Sequence, residues 1–549
     1  MADASFDVVV VGSGASAVHA AWPLAEAGLR VAMLDVGNRD EIYAPLIPPK
    51  SFSEIRRSDP DQHRYFLGDN FEGISLSRIG LGAQLTPPRM HIIRETEGLA
   101  PLVGDNFSAM QSLALGGLAA GWGASTIPFS EGDFASWPIG RRDLQPHYDV
   151  VAGRIGLCGA GGDLAPLIGV VDGQLPPADL DSNGESVYLR YQKRRRFFER
   201  NGFHVARAWL AVATVPFRGR GPLLYHDMEF WSDGDRSVYR PRYTVEELRG
   251  FAGFSYHDRL LVERFEENRA SQSVTITCLN LASGLREQVT ARRLVLAAGA
   301  LGTARIVLRS LNRYDQAVPL LTNPYTYFPS LNVLRLGQPT RDARHGLTQL
   351  TMFFEPDGKH ERMLQVQMYS YRSLLLFKLV KESPLARRES LRIMRRLYEY
   401  FVIFGVFHED RSSPGNFLKL SSGGGAGHDV LKAHFRLPAE VVHSQRAQEK
   451  RIVRILIRLG CLPLKAMRLE YGSSIHYAGC FPMAPDGPPL TTFTTGRLRA
   501  APFVYLADGS TFPHLPAKSL TFTLMANANR VGTSLCEELE KSAVRPTES

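Results

Sequence analysis

"FDVVVVGSGASAVHAAWPLAEAGLRVAMLDVG", residues 6–37, decides how the rest of the chain is read. Phe6–Val11 is a short run of β-branched residues, the pattern of a strand buried on both faces of a parallel sheet. Gly12-Ser13-Gly14-Ala15-Ser16-Ala17 follows, then a helical stretch that stops at Gly28 and a second apolar strand. Asp35 ends that strand, 21 residues after Gly14, the separation expected of an acid that binds a ribose hydroxyl. Each position has a physical task. Gly12 makes the tight turn, Gly14 lets the backbone approach a pyrophosphate, and Ala17 lets helix and strand pack closely. The glycine pattern alone is weak; between strand and helix, with the acid in place, it predicts a dinucleotide site. It does not choose between FAD and NAD.

The bulk properties set limits around that site. A chain of 549 residues exceeds what one core sustains, so a second domain is expected. Hydrophobic residues at 44% and charged residues at 22% are ordinary for a globular protein. No apolar run approaches the ~18 residues of a membrane span. The first residues carry Asp3 and Asp7 and no basic stretch, so a strand rather than a signal peptide is read there. The five cysteines, 158, 278, 461, 480 and 536, are scattered and without CxxC spacing. They predict neither a disulfide framework nor a metal site, and point to a reducing, cytoplasmic setting. The net charge of +9 favours an anionic partner or surface. "QKRRRFFER" (192–200) is basic, but no nucleic-acid-binding motif accompanies it and no nucleic-acid partner is expected.

Four further stretches act together: "LALGGLAAGWGASTIPFSEGDFASWPIGRRDLQPHYD" (113–149), "LVLAAGALGTARIVL" (294–308), "SSIHYAGCFPMA" (473–484) and "YLADGSTFPHLPAKSLTFTLMANANR" (505–530). With the N-terminal fingerprint they resemble, in order along the chain, the glucose–methanol–choline (GMC) oxidoreductases, FAD enzymes that oxidise alcohols. The Gly116-Gly117…Trp122-Gly123 and Trp137-Pro138-Ile139 segments are most similar to the pyranose oxidase and sugar dehydrogenase branch. The region 310–470 matches only by position.

The resemblance implies an α/β fold: a Rossmann-like FAD-binding domain, discontinuous in sequence, with a substrate domain of antiparallel sheet and helices. The expected division is 1–160 and 161–310 for the FAD domain, the latter with substrate-domain insertions, then 311–470 for the substrate domain and 471–549 for the final FAD segment. It also assigns Ala298-Gly299 to the return of the nucleotide domain, Asp508-Gly509 to the FAD phosphates and ring, and Val262 to a backbone contact with adenine. Gly121 stands where some members of this branch carry a histidine linked to the flavin, so non-covalent FAD is expected.

His476 and Gly479 match the family's HxxGT run, with Cys480 in place of Thr. Alone, a histidine among small apolar residues is usually structural; the resemblance places His476 over the flavin as proton acceptor. A group of pKa ~6.5 suits that task near neutral pH, while the flavin takes the hydride. Beside it the family uses His or Asn followed by Pro. Here Ser519-Leu520 stands at that position, and serine is no base near neutrality. Lys518 and His514 are candidate substitutes, a desolvated lysine having a lowered pKa or stabilising an alkoxide. Three functions follow: oxidation of a CH–OH group in a sugar, polyol or other hydroxylated metabolite; a reaction of a different kind on the same fold, such as that of a lyase, isomerase or decarboxylase; or a flavin-binding partner or scaffold with no turnover of its own. The electron acceptor (oxygen, a quinone or a redox protein) stays open.

The middle of the chain carries two amphipathic basic patterns. In "PLARRESLRIMRRLYEYFVIFG", Leu391, Met394, Tyr398 and Phe401 share one side, with Arg388, Arg392, Arg395, Arg396 and Glu399 on the other. In "EKRIVRILIRLG", Arg451, Arg454 and Arg458 oppose Ile452, Ile455, Leu456 and Leu459. They read as helices covering the sheet or as a peripheral contact with an anionic membrane. "SLLLFKLV" (373–380) precedes the first.

Overall fold

The computed structural model describes residues 6–72, 86–159, 163–338, 344–358, 362–370, 383–423 and 429–544. The apolar stretch 373–380 lies outside them. A Rossmann-like unit is assembled from distant parts of the chain: β1 (Phe6–Val11), α1 (Ala15–Glu26), β2 (Val31–Leu34), β3 (Phe254–His257), β4 (Leu260–Asn268), β5 (Ser273–Asn280), β6 (Arg286–Leu296), α2 (Gly299–Ser310), β7 (Ala501–Leu506) and α3 (Thr521–Val544). Strands β7, β6, β1, β2 and β3 run parallel in that order, with Val9 beside Leu294 and Val10 beside Met33. The β4–β5 hairpin pairs antiparallel with the first half of β6, leaving its last residues for β7.

Alternation along β1 supplies both faces of this sheet. Val8 and Val10 pack with α1 and α3, while Val9 and Val11 enter a second cluster with the hairpin and α2. Helix α3 lies close on α1: a Cβ at Gly532 would sit 2.3 Å from the carbonyl oxygen of Ala20. Pro23 inside α1 cannot donate to His19, and the side-chain amide of Asn529 on α3 donates to that carbonyl instead, at 3.4 Å.

The second unit is a seven-stranded antiparallel sheet, six of whose strands follow in the order Cys461–Pro463, Tyr325–Asn332, Phe401–Phe407, Leu364–Tyr369, Thr348–Phe354, Phe203–Arg207. The short strand Met467–Arg468 also pairs with Tyr325–Asn332. Phe328, Val366, Met368, Val402, Phe404 and Val406 pack in one cluster with Ile452, Ile455 and Leu456 of the helix Ala439–Arg458. That helix therefore covers the sheet, and its arginines 451, 454 and 458 are exposed. The intervening residues Tyr325, Tyr327, Pro329, Gln367, Tyr369, Ile403 and Phe407 line a cavity between the two units. Leu391, Met394, Tyr398 and Phe401 line it too, so the apolar side of the first basic pattern, helical over Arg387–Leu397, faces this cavity. Among the described residues no helix is long and apolar enough to cross a membrane, and all five cysteines are buried and unpaired.

Candidate active site

The cavity has a volume of about 2500 Å³. Ordinary ligand pockets hold roughly 300–1,000 Å³, so this one is large enough for a dinucleotide beside a second molecule. One end is formed by the loop after β1. Gly12, at φ +96°, has no room for a Cβ, which would meet the carbonyl oxygen of Ala297 at 2.8 Å. Gly14 differs: its φ of −69° and ψ of −177° suit any residue, and a Cβ would find no protein atom closer than 3.9 Å. Neither conformation nor packing asks for glycine there, so the space in front of Gly14 belongs to whatever the cavity holds. That is the fit expected where backbone meets a pyrophosphate.

The other nucleotide positions close around the same space. Asp35 lines it, accepting from the Ser13 hydroxyl and, at 3.2 Å, from Tyr256. Burial raises its carboxyl to about 7 against these hydrogen bonds. Gly117, Trp122, Gly123, Val262, Ala298, Gly299, Asp508 and Gly509 all line the cavity. Trp122 is fixed by its indole N–H, which donates to the Tyr239 carbonyl at 2.8 Å. Asp508, buried, accepts from Thr303 Oγ1 at 2.6 Å and from the Ser510 amide at 2.9 Å, and burial raises its carboxyl. Two positions serve indirectly. Ala17 lies in the core under α1, and Gly116 holds the loop by donating its N–H to Ser13 Oγ at 2.9 Å.

His476 lines the same cavity with its ring stacked on Phe407, centroids 5.0 Å apart and planes 9° apart. Its Nδ1 lies 2.8 Å from Oδ1 of Asn323. The orientation of that amide is set elsewhere: Nδ2 of Asn323 donates to the carbonyls of His408 at 2.8 Å and Pro516 at 2.9 Å. Oδ1 can only accept, so Nδ1 of His476 carries the hydrogen and Nε2 keeps its lone pair. Burial lowers the imidazole to about 3, keeping it neutral at ordinary pH.

Ser519 also lines the cavity, next to the chain Tyr369–Gln367–Ser519. The Tyr369 hydroxyl donates to Oε1 of Gln367, whose Nε2 donates to Ser519 Oγ at 2.9 Å and Ser125 Oγ at 2.7 Å. With its oxygen already accepting, Ser519 has its own proton to give. Lys518 does not join it. The expectation of a lysine at the reaction site is corrected here: Nζ is fully buried, does not line the cavity, pairs with Asp133 and donates to Ser130 Oγ at 2.7 Å. Burial lowers its pKa, and Asp133 opposes that shift. The chain bends at Ala517–Lys518, where the Lys518 amide donates to the Pro516 carbonyl at 2.7 Å, and the two neighbouring side chains leave it for different surroundings. His514 is likewise turned aside, with Nε2 3.5 Å from Glu409.

Asn323, Gln367, Ser125 and the tyrosines were not among the residues singled out from sequence. The sole local signal is the Asn323-Pro324 dipeptide, a break just before a strand of closely spaced aromatics.

No family model matches the chain. Over 333 residues it is 25% identical to a 6'''-hydroxyparomomycin C oxidase from Streptomyces lividus, an alignment covering 57% of this chain and about half, 52%, of that protein. Solved structures resemble it end to end. A formate oxidase superposes with a TM-score of 0.64 at 12% identity, covering 98% of this chain and 100% of that one. An FAD-dependent oxidoreductase from Chaetomium thermophilum gives 0.61 at 12%, over 98% and 100%. A pyridoxine 4-oxidase from Mesorbium loti gives 0.57 at 14%, over 96% and 98%. The chain has the fold of the GMC oxidoreductases, and the α/β architecture expected from its motifs is the one observed.

Proposed function

We propose that the chain binds FAD non-covalently and oxidises a CH–OH group to a carbonyl, with His476 accepting the hydroxyl proton. The carrying observation is the hydrogen-bond lock from His408 and Pro516 through Asn323 to His476, which presents an unprotonated Nε2 to the cavity. FAD, when bound, supplies the acceptor for the hydride leaving the carbinol carbon. Gly12, Gly14 and the loop at Gly117 would hold its phosphates, Asp35 a ribose, and Asp508-Gly509 the region near the ring. His476 takes the O–H proton as the C–H bond breaks, and Asn323 steadies the imidazolium by accepting from Nδ1. Ser519, held by Gln367, donates toward the substrate oxygen.

The purified protein should be yellow, release its flavin into the supernatant on acid precipitation, and bleach anaerobically with an alcohol. Colourless protein, or flavin that stays with the pellet, contradicts the cofactor reading. Bound flavin that no alcohol bleaches contradicts the oxidation.

We also propose peripheral contact with an anionic membrane at the cavity mouth. Arg387, Arg388, Arg392 and Arg396 are exposed on a helix that also shows Ile393, 40% exposed, with Leu385 at 46% before it, and Leu464, which lines the cavity, is 55% exposed. Attraction of this kind fades beyond ~10 Å at 0.1 M salt. Arg388→Glu with Arg392→Glu should weaken binding to phosphatidylserine vesicles by roughly tenfold or more, each basic residue contributing about 1 kcal/mol. Unchanged binding leaves this helix as a wall of the cavity and nothing else.

A further inference from the structure

The substrate half of the cavity differs in chemistry from the nucleotide half. From His476 a series of rings leads away: Phe407 stacked on the imidazole, Tyr325 with its centroid 4.4 Å from Phe407, and Tyr327 4.6 Å from Tyr325. Leu391 and Met394 of the helix Arg387–Leu397 line the same space.

The tyrosine hydroxyls gather together: that of Tyr325 stands beside those of Tyr327 and Tyr369, and Tyr369 donates to Gln367. Gly405 makes this possible, since a Cβ there would lie 1.9 Å from the Tyr325 hydroxyl. Gln367 in turn spends both amide hydrogens on Ser125 and Ser519. The sheet and the helix Arg387–Leu397 offer a substrate mainly ring faces and aliphatic side chains; the polar lining includes Nε2 of His476 and the hydroxyls of Ser125, Ser519, Ser474 and Thr521.

The charge pattern agrees. Among the described lining residues the carboxylates are Asp35, Glu72 and Asp508, and all three are engaged away from the substrate sheet, with Ser13, Tyr43 and Thr303. The charged groups that the sheet's loops and the helix Arg387–Leu397 contribute are cationic, Lys465 and Arg387.

Resting on the oxidation proposed above, we infer that the substrate is an alcohol whose carbinol carbon ends an extended apolar chain, alkyl or aryl-alkyl, rather than a sugar or polyol. The hydroxyl meets His476 and Ser519; the chain lies along Phe407, Tyr325 and Tyr327 under Leu391 and Met394. A polyol would bury hydroxyls against ring faces, at roughly 5- to 100-fold in affinity for each one left unpaired. A polyamino sugar would bring its ammonium groups to a wall without carboxylates.

The test is anaerobic reduction of the flavin-loaded protein by n-butanol, n-hexanol, n-octanol and n-decanol beside glucose, glucitol and paromomycin. The second-order rate constant should rise about threefold to fourfold per methylene, the gain of burying one CH₂. The sugars should fall at least about 100-fold below decanol. Met394→Asp should flatten the dependence on chain length. Independently of turnover, 2-methyl-2-decanol, a tertiary alcohol with no carbinol hydrogen, should bind by calorimetry with a negative heat-capacity change. If glucose or glucitol reduces the flavin faster than decanol and the tertiary alcohol does not bind, the substrate class is overturned while the oxidation stands. If no alcohol of either kind reduces bound flavin, the oxidation falls and this inference with it.

Discussion

Replacing His476 by alanine is expected to slow flavin reduction by about 10²–10⁴-fold, the contribution of a positioned acid–base group, while leaving the flavin bound. The separation of effects follows from the geometry. His476 stacks on Phe407 and bonds to Asn323, and neither residue is among those expected to hold the phosphates or the ribose. The base must be neutral to accept a proton. Because burial lowers its pKa to about 3, it is competent at every pH above that value and is lost only on further acidification. The rate of flavin reduction should therefore show no fall attributable to a group of pKa ~6.5 between pH 5 and 8. Asn323→Leu should keep the ring in place by stacking but release its tautomer, with a smaller loss in rate than that of His476→Ala. Rapid-mixing reduction of the three proteins decides the matter. Wild-type rates in His476→Ala would make this histidine a buried ring packed on Phe407 and no more.

The nucleotide half was legible because its determinants are local. Strand, glycine turn, helix and acid fall within residues 6–37, and each obeys a constraint that acts over a few residues. The substrate half is governed by pairings that sequence does not display. Phe203–Arg207 joins the edge of a sheet whose other strands begin at Tyr325. In "YTYFPSLN" one face meets the cavity and the other meets the helix Ala439–Arg458, so both faces carry buried residues and no alternation of polar and apolar marks which is which. The stripe Leu391, Met394, Tyr398, Phe401 was readable as an apolar face, but not that a cavity, rather than a core, stands opposite it. Lys518 and Ser519 show the same limit at its smallest scale: two neighbours with suitable chemistry, of which the direction of one peptide sends Ser519 into the cavity and Lys518 into an ion pair with Asp133. Asn323 acts on a residue 153 positions away, and only the fold joins them.

Substituting valine for Gly14 should abolish flavin binding and leave the fold intact. Most glycines that matter in this chain matter to the protein itself. Gly12 is at φ +96° with Ala297 O 2.8 Å from a would-be Cβ, so Gly12→Ala should damage the turn that joins β1 to α1. Gly14 stands two residues on in an ordinary extended conformation, with its nearest potential neighbours, Gly116 O and the Cα of Gly117, at 3.9 Å. As the residue capping α1, it gives up to about 1 kcal/mol of helix stability when an aliphatic side chain replaces it. The cofactor-free variant should accordingly melt within a few degrees of the cofactor-free wild type. The valine methyls, however, would occupy the space through which backbone reaches a pyrophosphate, and that contact has no alternative route. Gly14→Val should purify colourless, show no rise in melting temperature on addition of FAD, and have no flavin-dependent activity, whereas wild type gains stability with ligand concentration as a protein that binds only when folded must. A yellow Gly14→Val protein would mean that the space in front of this residue is not where the dinucleotide lies.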